Sequence, residues 1–92
     1  MIKQKTVVLL NSEEIIIEGL PVAKAMDAID FGDSISKILD TLLEDINLNG
    51  HAFIEHKITY IPETDKKFGR AIITVVYREI PTRKILIEKT ND

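Results

Sequence analysis

Residues 68–79 read FGRAIITVVYRE, and the two parities of that stretch differ sharply. Ala71, Ile73, Val75 and Tyr77 are wholly apolar. Phe68, Arg70, Ile72, Thr74, Val76 and Arg78 mix apolar with cationic side chains. Successive strand residues face opposite ways, so this segment has one dry face and one half-dry face. Such a strand belongs inside a sheet, with something covering part of its second side. In a chain of 92 residues, that cover is expected from a second copy or another partner.

The flanking pattern gives an α+β fold in one domain, residues 1–92. Lys3–Leu10 and Glu13–Glu18 read as strands around Asn11–Ser12, an expected hairpin. Both parities of Val7–Leu10 are apolar, which predicts cover on both faces. Pro21 suits the first turn of a helix, and Val22, Ala25, Met26 and Ile29 follow at helical spacing. This predicts a short helix over 21–31, closed by Gly32, with an irregular extended segment as the alternative. A second helix is capped by Asp33 or Ser34. It carries Ile35, Ile38, Leu39, Leu42, Leu43 and Ile46 as one apolar stripe. Glu44 and Asp45 then lie at its C-terminal end, where the helix dipole disfavours carboxylates and a basic neighbour would offset them.

Residues 51–61 form an amphipathic strand, with Ala52, Ile54, His56, Ile58 and Tyr60 on one face and Phe53, Glu55 and Lys57 on the other. Pro62–Lys67 is a polar turn into the strand at 68–79. Arg83–Lys89 (RKILIEK) is a last short strand whose terminal charges guard an edge. The order ββ(α)αβββ implies a mainly antiparallel sheet with one or two helices on one face.

Composition narrows the setting. There is no cysteine, which removes disulfides and thiolate metal sites and suits a reducing, cytoplasmic compartment. Val7–Leu10 is too short for a signal-peptide core, and no apolar run approaches a membrane span. Sixteen isoleucines, and nine lysines against three arginines, match the codon usage of an AT-rich bacterial or phage genome. The net charge of −3 argues against general nucleic-acid binding. Five aromatics are also few for a base-stacking platform. The charge is uneven: residues 1–46 hold four Lys and nine Asp/Glu, and residues 47–92 hold eight Lys/Arg and six Asp/Glu. An acidic face of one subunit can therefore meet a basic face of another.

No catalytic constellation is visible. Ser12, Ser34 and Ser36 lie in a turn and at a helix start, with no base beside them in a strand-to-helix elbow. The glycines at 19, 32, 50 and 69 are isolated and form no phosphate-cradling loop. His51 and His56 have opposite strand parity, and His51 and Glu55 stand ~13 Å apart along an extended chain, so one ion cannot hold all three. The expected role of His56 is a core-edge histidine bonded to backbone or to a tyrosine hydroxyl. Asp27, Asp30 and Asp33 recur every three residues, but Gly32 interrupts the row and calcium-loop alternation is missing. No metal and no cofactor are expected.

Two kinds of contact remain. Lys66, Lys67 and Arg70 surround Phe68 and Gly69. Two ammoniums and a guanidinium beside a ring can hold a phosphate and stack a base, and glycine lets a ligand approach the backbone. Tyr60, Arg78 and Arg83 join this candidate ligand site if neighbouring strands pair. Ile72 and Val76 on the half-dry face, with Ile85 and Ile87 on the last strand, are the candidate interface. The leading expectation is a non-catalytic binding or regulatory protein acting through protein contact as a homo-oligomer. The alternative is a protein that sequesters a nucleotide or similar anion in a basic pocket between subunits.

Overall fold

The computed structural model describes residues 1–80 and shows an α+β domain built on antiparallel strands. Strands β1 (Ile2–Leu10), β2 (Glu13–Ile17) and β3 (Leu20–Lys24) precede helix α1 (Ala28–Leu48). Strands β4 (Ala52–Ile61) and β5 (Arg70–Arg78) follow it. The sheet order is β1-β5-β4, so the two-faced segment is the central strand, paired antiparallel on both sides. The last expected strand, with Arg83, Ile85 and Ile87, lies outside the described residues.

The odd parity of β5 carries the core. Ala71, Ile73 and Val75 are fully buried and Tyr77 nearly so. Ile46 of α1 packs against Val75 and Tyr77, with Leu39, Leu42 and Leu43 completing the cluster. The helix stripe therefore does what its spacing predicts, laying aliphatic side chains on one face of the sheet.

The helix is longer than its expected cap position implies. It starts at Ala28 and runs through Gly32; Asp27, not Asp33 or Ser34, is the cap, accepting from the Ile29 N–H at 3.1 Å. Gly32 in a helix interior costs about 1 kcal/mol relative to alanine. Phe31 offsets it by extending the stripe one turn N-terminally and burying its ring edge-on to Tyr60, 6.0 Å between centroids. The C-terminus closes as a Schellman motif: Gly50, at φ +70°, donates to the Asn47 carbonyl, and the His51 N–H reaches the Ile46 carbonyl at 3.0 Å.

No short helix forms at 21–31. Its first residues are β3, which pairs with β2 in a hairpin whose two-residue turn is Glu18–Gly19. Both turn residues have positive φ, 51° and 80°, as a type I′ turn requires. Counting out from that turn, Ile16 and Pro21 form a pair that exchanges no ladder bond, so proline's missing N–H costs nothing. The expected hairpin of β1 with β2 is corrected accordingly: β1 pairs with β5, from Ile2↔Arg78 to Leu10↔Arg70. Among the described residues, β1 is covered on one face only. Val7 and Leu9 face the helix side, whereas Val8 and Leu10 are 58% and 48% exposed.

A bulge between Phe53 and Glu55 resets the parity of β4. Phe53 stands opposite Tyr77 and His56 opposite Val75, so both face the helix side, against the strict alternation expected for them.

One ion pair ties β1 to the helix. Lys5 lies opposite Val75 on the helix-side face, its ammonium 5.9 Å from the Tyr77 ring centroid, and it donates to the Asp45 carboxylate. That hydrogen bond, then the lysine charge, holds Asp45 below the usual carboxylate range; the same hydrogen bond raises Lys5. This is the basic neighbour that the dipole at the helix C-terminus calls for. The stabilisation exists above the ordinary carboxylate range and is lost as pH falls through the lowered Asp45 value. It exists below the ordinary amine range and is lost as pH rises through the raised Lys5 value. Asp45→Asn should therefore lower Tm near neutrality, with the gap from wild type closing in acid, closing in strong base and shrinking in salt. Thermal melts across pH check this.

The core makes a second prediction. Ile73 is 0% exposed at the centre of the sheet. Ile73→Ala should cost about 3 kcal/mol, a large share of a small domain's stability, read as an earlier urea midpoint at unchanged slope.

Candidate functional site

The cationic turn between β4 and β5 is a built feature. The Thr64 N–H donates to the Lys67 carbonyl at 2.9 Å, and the Thr64 hydroxyl accepts from the Lys66 and Lys67 amides at 3.4 and 3.2 Å. Those amides, which would otherwise point at an anion, are occupied by the turn itself. Two shallow depressions lie here. One of about 300 Å³ is lined by Glu63–Phe68, and one of about 540 Å³ by Thr64, Asp65, Lys66, Lys67 and Arg70. Glu63 and Asp65 precede the two lysines in the turn and reduce the local positive potential.

The structure gathers Lys66, Lys67, Phe68 and Arg70 at one end of the sheet and places Arg78 at the other. Arg70 and Arg78 are the two ends of β5, eight residue steps or about 26 Å apart. Tyr60 is near the turn but plays a packing part there. A Cβ placed on Gly69 would meet the Tyr60 hydroxyl at 2.6 Å, its Cζ at 3.1 Å and the Ile61 carbonyl at 3.2 Å. The opening that glycine leaves is thus filled by the tyrosine and is not an approach path for a ligand. Arg83 lies outside the described residues.

The histidines serve the frame. His51 Nδ1 accepts from the Ile80 N–H at 3.0 Å, and its ring stacks on Tyr77 at 5.6 Å, joining the helix end to the ends of β4 and β5. His56 is exposed and stacks on Phe53 at 6.2 Å, rather than sitting at a core edge under a tyrosine hydroxyl. The bulge brings those two rings together. Asp27, Asp30 and Asp33 all fall in or beside the first turns of α1, where carboxylates complement the dipole. Among the described residues, no three metal-ligating side chains form a group that could hold an ion.

A second candidate surface is the sheet face turned away from α1. Register places Val8 opposite Ile72, with Leu10 beside Arg70 and Val76 between Gln4 and Glu55. Thr6 and Thr74 meet at its middle, hydroxyl to hydroxyl at 3.2 Å. Among the described residues, no helix or strand packs on this face. Ile72 and Val76, the expected interface residues, lie on it. Sequence reasoning missed a second feature. Among the described residues, the β2–β3 hairpin stands clear of every other element and exposes Ile16, Ile17, Leu20 and Val22. The Glu18–Gly19 turn between two apolar runs was its available signal, masked by the helical spacing that follows Pro21.

Gly69→Ala separates packing from ligand access. The methyl must displace Tyr60, which is braced by Phe31, at roughly 1–3 kcal/mol, with a correspondingly lower Tm.

No helix among the described residues is long and apolar enough to cross a membrane. The chain matches no protein-family model, no curated protein and no solved structure.

Proposed function

We propose that this chain is a small non-catalytic binding protein, cytoplasmic and of bacterial or phage type, that works by protein contact and assembles with itself. One observation supports this reading above the others. The face away from the helix carries Val8, Leu10, Ile72 and Val76, aligned by register, and no described element covers it. Exposed and half-buried apolar residues on one face, here Val8, Leu10 and Ile72 parted from Val76 by the Thr6–Thr74 pair and bordered by charge, mark a site of association. Buried side chains are few for so apolar a sequence. In a sequence that is 45% hydrophobic, the hydrophobic side chains buried among the described residues are only Phe31, Ile46, Ala71, Ile73, Val75 and Tyr77.

Val76→Lys tests it. Val76 is half-buried in the single chain and stands opposite Glu55, which can receive the new ammonium, so the fold survives the change. An ammonium facing an apolar contact opposes assembly. Native mass spectrometry should show a multimer for the wild type and a monomer for the variant. An equal mass for both overturns the reading. A second reading, sequestration of a nucleotide or other phosphate-bearing molecule between subunits, is supported by the depression at Lys66, Lys67 and Arg70. The same spectra report on it: an extra mass of a few hundred daltons, lost on denaturation and on Lys66→Ala/Lys67→Ala, would favour it.

A further inference from the structure

We infer that the β2–β3 hairpin is an exchange arm, docking on the open sheet face of a second copy of this chain while receiving that copy's arm on its own. This rests on the self-assembly reading above and names the occupant of the face.

The arm needs a partner. A hairpin of two five-residue strands is marginal in water on its own, and among the described residues this one touches no other strand and no part of α1. One of its faces is nearly all apolar. Ile15 pairs with Val22 and Ile17 with Leu20, the last 67% exposed, and the Glu13–Lys24 ion pair lies at the base. Each strand reaches about 17 Å, enough to cross several strand positions of a facing sheet.

The arm is also held off its own body. The Asn11 N–H donates to the Gly69 carbonyl at 2.7 Å, which fixes the root to the end of β5. The Asn11 side chain accepts from the Met26 N–H at 3.0 Å, joining the two legs just before the helix begins. The chain thus leaves from β1 and returns towards the helix side, away from the open face.

Charge selects the occupant. Residues 13–24 hold Glu13, Glu14, Glu18 and Lys24, net −2. The open face holds Arg70, Arg78, Lys57 and Glu55, net +2. The acidic arm and basic face are complementary, and every copy of the chain carries one of each. Reciprocal docking closes a two-fold pair and leaves neither surface unpartnered.

Complementation tests this directly. Leu20→Lys spoils the arm, and Val76→Lys spoils the face. Both positions tolerate a charge in the single chain, the first being largely exposed and the second standing beside Glu55. Each variant alone should weaken dimerisation roughly a hundredfold or more. In the reciprocal pair each variant alone loses both contacts, one per copy. An equimolar mixture keeps one intact contact, the arm of Val76→Lys on the face of Leu20→Lys. Native mass spectra of the mixture at tens of micromolar should therefore show the heterodimer in excess of either homodimer. If Leu20→Lys remains dimeric while Val76→Lys is monomeric, the assembly reading stands and the arm inference falls. If both are monomeric and the mixture yields no heterodimer, the arm inference falls as well. A wild type that is monomeric throughout overturns both.

Discussion

Everything in this fold hangs on the double pairing of β5. Among the described residues it is the only strand of the three-stranded sheet bonded on both edges, and its odd parity supplies four of the six buried hydrophobic side chains. Because strand periodicity is two, burying Ala71, Ile73, Val75 and Tyr77 under α1 commits Ile72, Thr74 and Val76 to the other side. One helix covers one face. The open face is thus a direct consequence of the pairing that makes the core, not a separate feature of the surface.

The same logic explains where the frame needs polar help. Lys5 lies on the helix-side face of an edge strand, where an aliphatic residue would seem to fit better. Its ammonium sits over the Tyr77 ring and meets Asp45 near the helix C-terminus. At that same end His51 accepts a backbone N–H and stacks on Tyr77, while at the opposite end Tyr60 fills the space over Gly69 and braces Phe31. Aromatic rings and short polar links thus close both ends of a core too thin to close itself.

Legibility in the sequence followed the strength of the periodic signal. The stripe from Ile35 to Ile46 and the alternation from Ala71 to Tyr77 each repeat through several periods; the strand face is buried, and the helix stripe buries Ile46 and half-buries the rest. Single residues misled where a second force acted. Gly32 looked like a stop, yet burial of Phe31 outweighed its backbone cost. Pro21 looked like a helix start, yet the positive φ angles at Glu18 and Gly19 turned the chain back on itself first. Phe53 changed face because a bulge is invisible to a parity count. In the cationic cluster, nearness along the chain was readable for Lys66 to Arg70, whereas the distance to Arg78 depends on strand direction and needed the sheet.

The hairpin sharpens the meaning of the charge asymmetry along the chain. An acidic N-terminal half and a basic C-terminal half are compatible with evenly solvated surfaces when the two halves interleave. Here they interleave only in part. Lys5 and Asp45 neutralise each other across the helix–sheet contact, while Glu14 and Glu18 project on the arm and Arg70 and Arg78 lie at the two ends of the open face. Charges of opposite sign that a chain keeps apart within itself are available to a second molecule, and their pattern limits which molecule suits. A polyanion would meet the basic face but gain nothing from the arm. Under the proposed exchange a second copy would satisfy both at once, covering the apolar residues of each face with the other's arm.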